Sequence, residues 1–372
     1  VGMSQIGAKA KALAGETATA IIAYYYKDIA IERLDDSKIL RVNIGHLLTS
    51  AKMASVTPDA TMQIFSGEIG DSQDQIPLAT VPLKSSLNFT ILGSTVVPSV
   101  VTGKKTISIP RNRVFTVRWS GTRYLEGAPT ILSVTTNATV NRYRHGQIQF
   151  KVIRDKVLGK RLEIINSVRL QDEYLWGISE VPSLWPTAAL QAQAIASRTY
   201  ALAKSTKVRS ACDCHLYGSI SDQSFAGWAK EGEPKYGQLW KSAVDSTQGQ
   251  IISYQGLPIT AYFTSSTGGA TETSEHAWGT ATSYTQSVPD TASADIKLNP
   301  KFATWSRQVP QPLIAAAFLL PDVLSLQVLS VNPAGTVDQI QATSSSGATA
   351  TLTGETFRSR SKLPSAWFAI TG

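Results

Sequence analysis

The sequence predicts an α+β fold, in which a mixed helical and β core is joined to an additional antiparallel β-rich domain. Residues 37–165 are dominated by Val, Ile, Thr and Ser, and they alternate in stretches such as VFTVRW (114–119) between frequent Gly and Pro residues. This pattern is typical of short antiparallel strands in a small sheet or sandwich. Residues 187–204 contain no Gly or Pro and are rich in Ala, Leu and Gln, which predicts a helix.

Composition limits the class of protein. At 372 residues the chain is long enough for more than one structural unit. Hydrophobic residues make up 42% and charged residues 17%, which excludes a disordered chain. The net charge is +8, and basic residues are dense in 142–169. A basic surface attracts polyanions, but no nucleic-acid-binding motif is present, so we expect no nucleic-acid partner. An anionic cell-wall polymer fits the charge equally well, as does a merely soluble basic surface.

The sequence predicts neither a membrane-spanning helix nor a signal peptide. No apolar run approaches the roughly 18 residues that a membrane helix needs. The chain starts at Val1 without a signal peptide, so we expect a processed or trimmed N-terminus. A location outside the membrane therefore has to be inferred from function.

Glu180 stands in an apolar and stiff stretch, with Trp176 before it and Val181, Pro182 and Trp185 after it. Such surroundings remove water from the charged carboxylate, so the pKa is expected to rise towards the range in which it donates a proton near neutral pH. That is the acid that a glycosidic leaving group requires. The alternative is a solvated Glu at the end of a short helix.

A helix is predicted to begin after Pro186, because Pro is favoured at a first helical position. Its residues form two stripes at spacings of three and four. The apolar stripe predicts ordinary core packing, and the polar stripe on this Ala-rich helix predicts a lined groove. The apolar stripe holds Ala188, Ala192, Ile195, Thr199 and Leu202, and the polar stripe holds Gln193, Ser197, Tyr200 and Lys204.

The stretch YLWGISEVPSLWPTAALQAQAIASRTYA (174–201) resembles the long signature of the stage II sporulation protein D and amidase-enhancer family. Well-described members are bacterial lytic transglycosylases that cut the glycan strands of peptidoglycan. The resemblance implies that Glu180 is the single catalytic Glu and that Arg198 is the family's helix arginine. Gln191 stands where the family often has Lys, so a positive charge near the site is missing.

Further blocks carry the same resemblance. VGMSQIGAKAKALAG (1–15) is similar to a block that comes last in many members, and FRSRSKLPSAWFAI (357–370) is similar to the segment that normally precedes that block. The simplest account is a circular permutation, which requires the two chain ends to lie close together. Ser265-Ser266-Thr267-Gly268-Gly269 matches the family's S-S-x-G-G loop.

These blocks imply a substrate-binding set. Small residues let the backbone approach a ligand, and hydroxyl and amide groups can bond sugar hydroxyls. Gln223 follows the cysteines in a block that is similar to the family's, and Trp278 either stacks on a sugar face or belongs to the core. The expected substrate-binding residues are Arg198, Gln193, Tyr200, Gln223, Ser265, Ser266, Gly268, Gly269, Met3 and Gln5.

The only cysteines are Cys212 and Cys214, followed by His215. A zinc site needs three or four tetrahedral ligands, and this C-x-C-H run offers three at a cramped spacing. Zinc, a disulfide in a very small ring and free thiols all stay open from the sequence. We expect no other cofactor.

The residue patterns and the resemblance together predict four units: residues 1–36 as a helical segment packing on the catalytic core, 37–165 as a β-rich accessory domain, 166–300 as the catalytic core with the signature helix and the S-S-x-G-G loop, and 301–372 as an α/β closure of that core. It also implies an extracytoplasmic, cell-wall location, peptidoglycan glycan strands as substrate and a cell-wall amidase as a further partner.

Three functions compete. In the first, Glu180 alone acts as general acid and base in a lytic transglycosylase, which forms 1,6-anhydromuramoyl ends. If folding brings Glu272, Asp222 or Asp290 close to it, two-carboxylate hydrolysis is also open. In the second, the chain binds wall glycan without catalysis and recruits or stimulates an amidase. In the third, it is a basic module whose binding weakens steeply with salt.

Overall fold

The structure is a computed structural model that describes residues 1–58, 60–137 and 139–371. Helices and several β-sheets confirm the α+β fold class. The helices are α1 (Gln5–Leu13), α2 (Ala18–Tyr25), α3 (Thr187–Lys204), α4 (Trp228–Glu231), α5 (Gly237–Ser246), α6 (Ser274–Trp278), α7 (Gln311–Phe318) and α8 (Gly354–Ser361), with a π-helical turn at Leu170–Tyr174 and 3₁₀ turns at Leu175–Gly177 and Thr291–Ala294.

The strands fall into five sheets. They are β1 (Met3–Ser4), β2 (Ala30–Arg33), β3 (Ile39–Leu48), β4 (Ser50–Ser55), β5 (Met62–Ser66), β6 (Ala79–Val81), β7 (Ser86–Leu92), β8 (Thr95–Thr102), β9 (Lys105–Ser108), β10 (Val114–Trp119), β11 (Leu132–Thr136), β12 (Thr139–Tyr143), β13 (Gln147–Asp155), β14 (Gly159–Arg169), β15 (Leu216–Tyr217), β16 (Gln250–Tyr254), β17 (Leu257–Pro258), β18 (Phe263–Thr264), β19 (Ser325–Val331), β20 (Val337–Thr343) and β21 (Thr349–Thr353).

Two of these sheets form a sandwich. One has the order β15-β3-β14-β13-β10-β5-β6, and the other has the order β12-β11-β4-β7-β8-β9. Their inner faces meet where Phe89 of β7 stacks on Phe150 of β13, with ring centroids 3.6 Å apart. Alternation along each strand puts the apolar residues on these inner faces. The antiparallel β-sheet expected for this part of the chain is therefore present.

The sandwich and the signature segment share one hydrophobic core. Strand β14 leads without interruption into the π-helical turn, and Tyr174 and Leu190 join the same buried cluster as Phe89 and Phe150. The expected boundary after residue 165 falls inside β14. The division into four units stays a prediction, but the described structure links the second and third units through both a strand and a core.

The N-terminal helices pack on α3. Ile21 and Ile22 of α2 are buried with Ala192 and Ile195 of α3. The expected apolar stripe of α3 is therefore core, and the helix begins directly after Pro186, which occupies the capping position before it. These contacts hold the first helices against the signature helix.

Residues 311–361 form a small α/β layer of their own. The antiparallel sheet β19-β20-β21 packs against α7 and α8 around Phe318, Ile340 and Phe357. Within the part of the chain that the structure describes, no helix is both long and apolar enough to cross a membrane.

Candidate functional site

Glu180 lies on a short bridge between the signature segment and residues 224–225. Ile178 and Phe225 pair in antiparallel fashion, and the N–H of Ser179 donates to the carbonyl of Ser224 at 2.8 Å. The N–H of Ser224 then donates to Oε1 of Glu180 at 2.6 Å. Backbone geometry on both sides of this bridge thus fixes the carboxyl.

The environment of Glu180 favours its neutral form. The side chain is half-buried, and burial raises the pKa of the Glu180 carboxyl above its ordinary value, while the hydrogen bond from Ser224 opposes that rise. The prediction of a desolvated carboxyl from the surrounding apolar residues agrees with this direction. A carboxyl in this state can donate a proton at a higher pH than a solvated one.

The segment after Glu180 is held by a lysine that the sequence did not single out. Nζ of Lys230 donates to the carbonyl of Val181 at 2.6 Å, and burial lowers the pKa of Lys230 to about 8. Lys230 itself is buried. Because this contact joins α4 to residue 181, no local motif in the sequence could have revealed it.

Gln223 is enclosed next to the carboxyl bridge. It is fully buried, and the hydroxyl of Tyr174 donates to its Oε1 at 2.8 Å. Its Nε2 has no hydrogen-bond partner among the described residues. Gln223 was expected to bind sugar, but its burial leaves it without access to a ligand in this conformation, so here it positions the loop that carries Ser224.

Tyr200 is tied to the same loop. Its hydroxyl donates to Oδ1 of Asp222 at 3.0 Å, and Arg209 makes two bonds of 2.8 Å to that carboxylate. The N–H of Tyr217 donates to the other oxygen of Asp222. Tyr200 is mostly buried, so this expected ligand of the substrate instead orients the 217–225 segment.

The polar stripe of α3 is buried instead of lining a groove. Gln193 and Ser197 are buried, and Nε2 of Gln193 donates to Oγ of Ser197 at 3.0 Å. Gln5 of α1 donates to Oε1 of Gln193 at 3.2 Å. The groove expectation is wrong because α1 packs over this face of α3 and satisfies its amides. Met3 is fully buried as well, so Met3, Gln5 and Gln193 are not open to a ligand.

The Ser265–Gly269 loop is held by both chain-end segments. β1 pairs in parallel with β18, and the N–H of Ile6 donates to the carbonyl of Ser265 at 3.1 Å. On the other side, Gly268 packs against the indole ring of Trp367. The two ends of the chain thus meet at this loop, as the circular-permutation hypothesis requires, and the permutation itself stays a prediction.

The loop presents some open surface. Ser265 is exposed, Ser266 is half-buried, and Gly269 has a φ of +135° with no heavy atom near the position of a Cβ. Behind them, the hydroxyl of Thr267 donates to Asp290 at 2.7 Å. Four of the expected substrate residues, Ser265, Ser266, Gly268 and Gly269, are therefore together on one turn.

Arg198 lies in the core. Its side chain is 0% exposed, and its Nε donates to Oδ2 of Asp36 at 2.7 Å. Its other nitrogens donate to the carbonyls of Val244 and Gln250 and to the hydroxyl of Thr247. The expectation that Arg198 binds substrate does not fit this position, since every polar group around it belongs to the protein interior. It joins α3 to α5 and β16.

The cysteine segment is a closed turn. Cys212 and Cys214 form a disulfide, and both are fully buried. Nδ1 of His215 accepts the N–H of Arg41 at 3.0 Å. In this oxidised state neither sulfur is a thiolate ligand, and no group of three His, Cys, Asp or Glu side chains in the described ranges is arranged to hold a metal. The zinc hypothesis stays open for the reduced chain.

Each of the three acids that could have served as a second carboxylate for hydrolysis makes its hydrogen bonds to residues other than Glu180. Asp222 forms an ion pair with Arg209. Asp290 accepts hydrogen bonds from the hydroxyls of Tyr25, Thr267 and Ser293. Glu272 is hydrogen-bonded to His276 and Thr336. No hydrogen bond or ion pair in the described part of the chain joins any of them to Glu180.

Comparisons with known proteins agree with the signature. Residues 159–254 match the sequence model of the family described as Stage II sporulation protein. The chain contains a domain of the stage II sporulation protein D and amidase-enhancer family. The matched range includes β14, the Glu180 bridge, α3 and β16, so the sporulation-protein domain covers the carboxyl but not the Ser265–Gly269 loop.

Curated relatives extend this result. The chain is 32% identical over 206 residues to stage II sporulation protein D of Bacillus amyloliquefaciens, which covers 51% of this chain and 55% of that protein. It is 33% identical over 119 residues to the amidase enhancer of Bacillus subtilis (strain 168). The aligned region is 32% of this chain and 15% of that protein. The match therefore spans less than two thirds of the length of either relative.

Proposed function

We propose that this chain is a peptidoglycan lytic transglycosylase with Glu180 as its single general acid and base. One observation carries the proposal: a half-buried carboxyl, whose pKa burial raises, is fixed by the N–H of Ser224 inside the matched family domain. A raised pKa lets the carboxyl remain protonated to a higher pH than a solvated Glu, which favours its use as a general acid.

The proposed reaction proceeds in two proton transfers. Glu180 first protonates the oxygen that links C1 of N-acetylmuramic acid to O4 of N-acetylglucosamine, and the C1–O4 bond breaks. The Glu180 carboxylate then takes the proton of the muramoyl 6-hydroxyl as O6 bonds to C1. This closes the 1,6-anhydro ring and restores the acid. No water enters the product, so a second carboxylate is not needed, in contrast to two-carboxylate hydrolases.

The surroundings of Glu180 support the one-carboxylate route. Asp222, Asp290 and Glu272 each make hydrogen bonds or ion pairs with other residues in the described structure, which supports a route that uses Glu180 alone. Elsewhere on the surface, the Ser265–Gly269 loop has an exposed Ser265 and an open backbone turn at Gly269, which a glycan could contact. The proposed substrate places the site of action outside the membrane, at the cell wall.

Product analysis tests the proposal. Purified peptidoglycan, intact and stripped of stem peptides, would be incubated with the chain, with Glu180→Gln and with the control Glu126→Gln, which changes an exposed carboxyl. Mass spectrometry should find anhydromuramoyl ends from the wild type and the control, and at least about 100-fold fewer from Glu180→Gln. Reducing ends instead would establish hydrolysis and contradict the proposal.

A second candidate rests on the relative named amidase enhancer. In this reading the chain binds wall glycan and stimulates a peptidoglycan amidase without cutting the glycan itself. Glycan binding without anhydromuramoyl or reducing ends, together with faster release of stem peptides by an added amidase, would favour it over the first.

A further inference from the structure

A cleft of about 420 Å³ lies beside the segment that holds Glu180. Its walls come from β3, β12 and residues 217–221, and Phe225 lies where the cleft meets the carboxyl bridge. The polar lining includes His46, Asn141, Tyr217 and the hydroxyls of Ser219 and Ser221. None of these residues has a place in the proposed chemistry at Glu180.

A buried carboxylate orients the histidine of this cleft. Nδ1 of His46 lies 2.8 Å from Oε2 of Glu163, and the side chain of Glu163 is 0% exposed, whereas that of His46 is 36% exposed. Asn43 and the N–H of Leu47 also donate to Glu163. Because the other two groups bonded to Glu163 are donors, Nδ1 of His46 is assigned as a donor to this carboxyl, and in the neutral imidazole Nε2 is then an acceptor. No hydrogen bond joins Nε2 to the described residues.

The backbone at this point is strained. Leu47 has a φ of +54°, a left-handed conformation that costs free energy in any residue other than Gly. That conformation directs its N–H to Oε1 of Glu163 at 2.9 Å. Strain that persists beside a buried carboxyl and an open cleft is typical of a ligand site.

The chemistry of the lining selects the ligand. The imidazole of His46 is hydrogen-bonded to the buried Glu163, and Arg209, which lies 5.7 Å from the ring of Tyr217, is paired with Asp222, so the described lining presents no unpaired charged side chain. The walls therefore favour a ligand without net charge. An aromatic ring, an amide, two hydroxyls and a neutral imidazole are the groups that bind sugar rings and their acetamido groups.

We propose that this cleft binds an N-acetylhexosamine unit of a glycan, and that Nε2 of His46 accepts a hydrogen bond from a sugar hydroxyl or amide N–H. The proposal rests on glycan as the substrate class of the proposed function. It adds a binding site that lies apart from the Glu180 carboxyl and shares the 217–225 segment with it.

Binding can be measured without turnover. Backbone amide NMR shifts of the full chain carrying Glu180→Gln would be followed during titration with chitotetraose, an N-acetylglucosamine tetramer. We expect saturable shifts at Gly45, Leu47 and Gly218. His46→Asn retains a donor for Glu163 but removes Nε2, so it should weaken binding about fivefold to tenfold.

Two further variants distinguish the loss of a contact in the cleft from a general effect of mutation on the fold. Asn141→Ala should weaken binding without touching Glu163. Val140→Ala, at the exposed neighbouring position of β12 that points to the other face, should leave binding unchanged. Shifts confined to the Ser265–Gly269 loop, or equal binding by His46→Asn and the parent, would overturn the proposal.

The ligand class is tested in the same experiment. A free stem peptide with its carboxylates should produce no saturable shifts at these amides, and binding of the peptide in place of the saccharide would also overturn the proposal. The outcome is independent of the reaction at Glu180. If wild-type chain yields no anhydromuramoyl ends while chitotetraose still binds the cleft, the proposed activity fails and the binding site stands.

Discussion

The N–H of Ser224 donates to Oε1 of Glu180 at 2.6 Å, and it is the contact that opposes the effect of burial on this carboxyl. A general acid must be protonated, so kcat/KM should fall as the pH rises through the pKa of Glu180. Ser224→Pro removes the N–H that lowers this pKa. The alkaline limb of the pH profile should therefore move to higher pH.

Ser224→Ala is the matched control, because it removes the hydroxyl and keeps the N–H. Its pH profile should coincide with that of the wild type. Equal profiles for the Pro and Ala variants, both folded by circular dichroism, would mean that this N–H does not tune the acid.

Arg198 is predicted to act through stability. Arg198→Ala leaves Asp36 buried without its charge partner, which should lower the free energy of unfolding by about 3–5 kcal/mol. The double variant Arg198→Met, Asp36→Leu removes both charges and should recover part of that loss. Urea unfolding measures both effects. A stable Arg198→Ala protein with only a raised KM would return Arg198 to the substrate-binding residues.

Gly268 is predicted to be required by packing. A Cβ at this position would overlap the indole ring of Trp367, whereas a Cβ at Gly269 would meet open space and only an unfavourable φ. Gly268→Ala should therefore cost about 1–3 kcal/mol of stability through overpacking. Combining it with Trp367→Ala should remove most of that cost, and a double-mutant cycle by thermal unfolding measures the coupling. Additive effects would show that the two residues do not interact.

His215 is predicted to make stability depend on pH. Burial and nearby cations lower the pKa of His215 to about 4, from an ordinary value of 6.5 in the unfolded chain. Because the unfolded state binds the proton more readily, stability from this group is present above about pH 6.5 and is lost as the pH falls towards 4. His215→Asn keeps an acceptor for the N–H of Arg41 and should flatten the Tm profile in this range. If the Tm of His215→Asn changes with pH as steeply as that of the wild type, groups other than His215 cause the pH dependence.

The sequence predicted correctly those features that depend on patterns among residues close together in the chain. The helix after Pro186 follows from its composition and from the Pro that precedes it, and the structure begins this helix directly after Pro186. The direction of the Glu180 pKa also follows from neighbours in the chain. Each of these features depends on residues that are close in sequence.

The features that the sequence did not predict are all contacts between residues distant in the chain. The amides of Gln5 and Gln193 meet across α1 and α3, the pair of His46 and Glu163 joins adjacent strands, and Lys230 reaches the carbonyl after Glu180 from α4. A polar stripe exposed on an isolated helix becomes buried when a distant helix supplies partners for it. Which distant helix does so is a property of the tertiary fold, and no spacing along the chain encodes it.

Met3 pairs with Phe263 in the parallel ladder that holds the Ser265–Gly269 loop. Pairs so distant in sequence form late, because the loop-closure entropy must be overcome before they contribute. During synthesis, β1 has to wait for β18 to leave the ribosome, so this loop takes its native position after the two-sheet sandwich has already been made. If this loop binds the glycan, as proposed above, binding at the loop requires a chain that has been synthesised at least as far as β18.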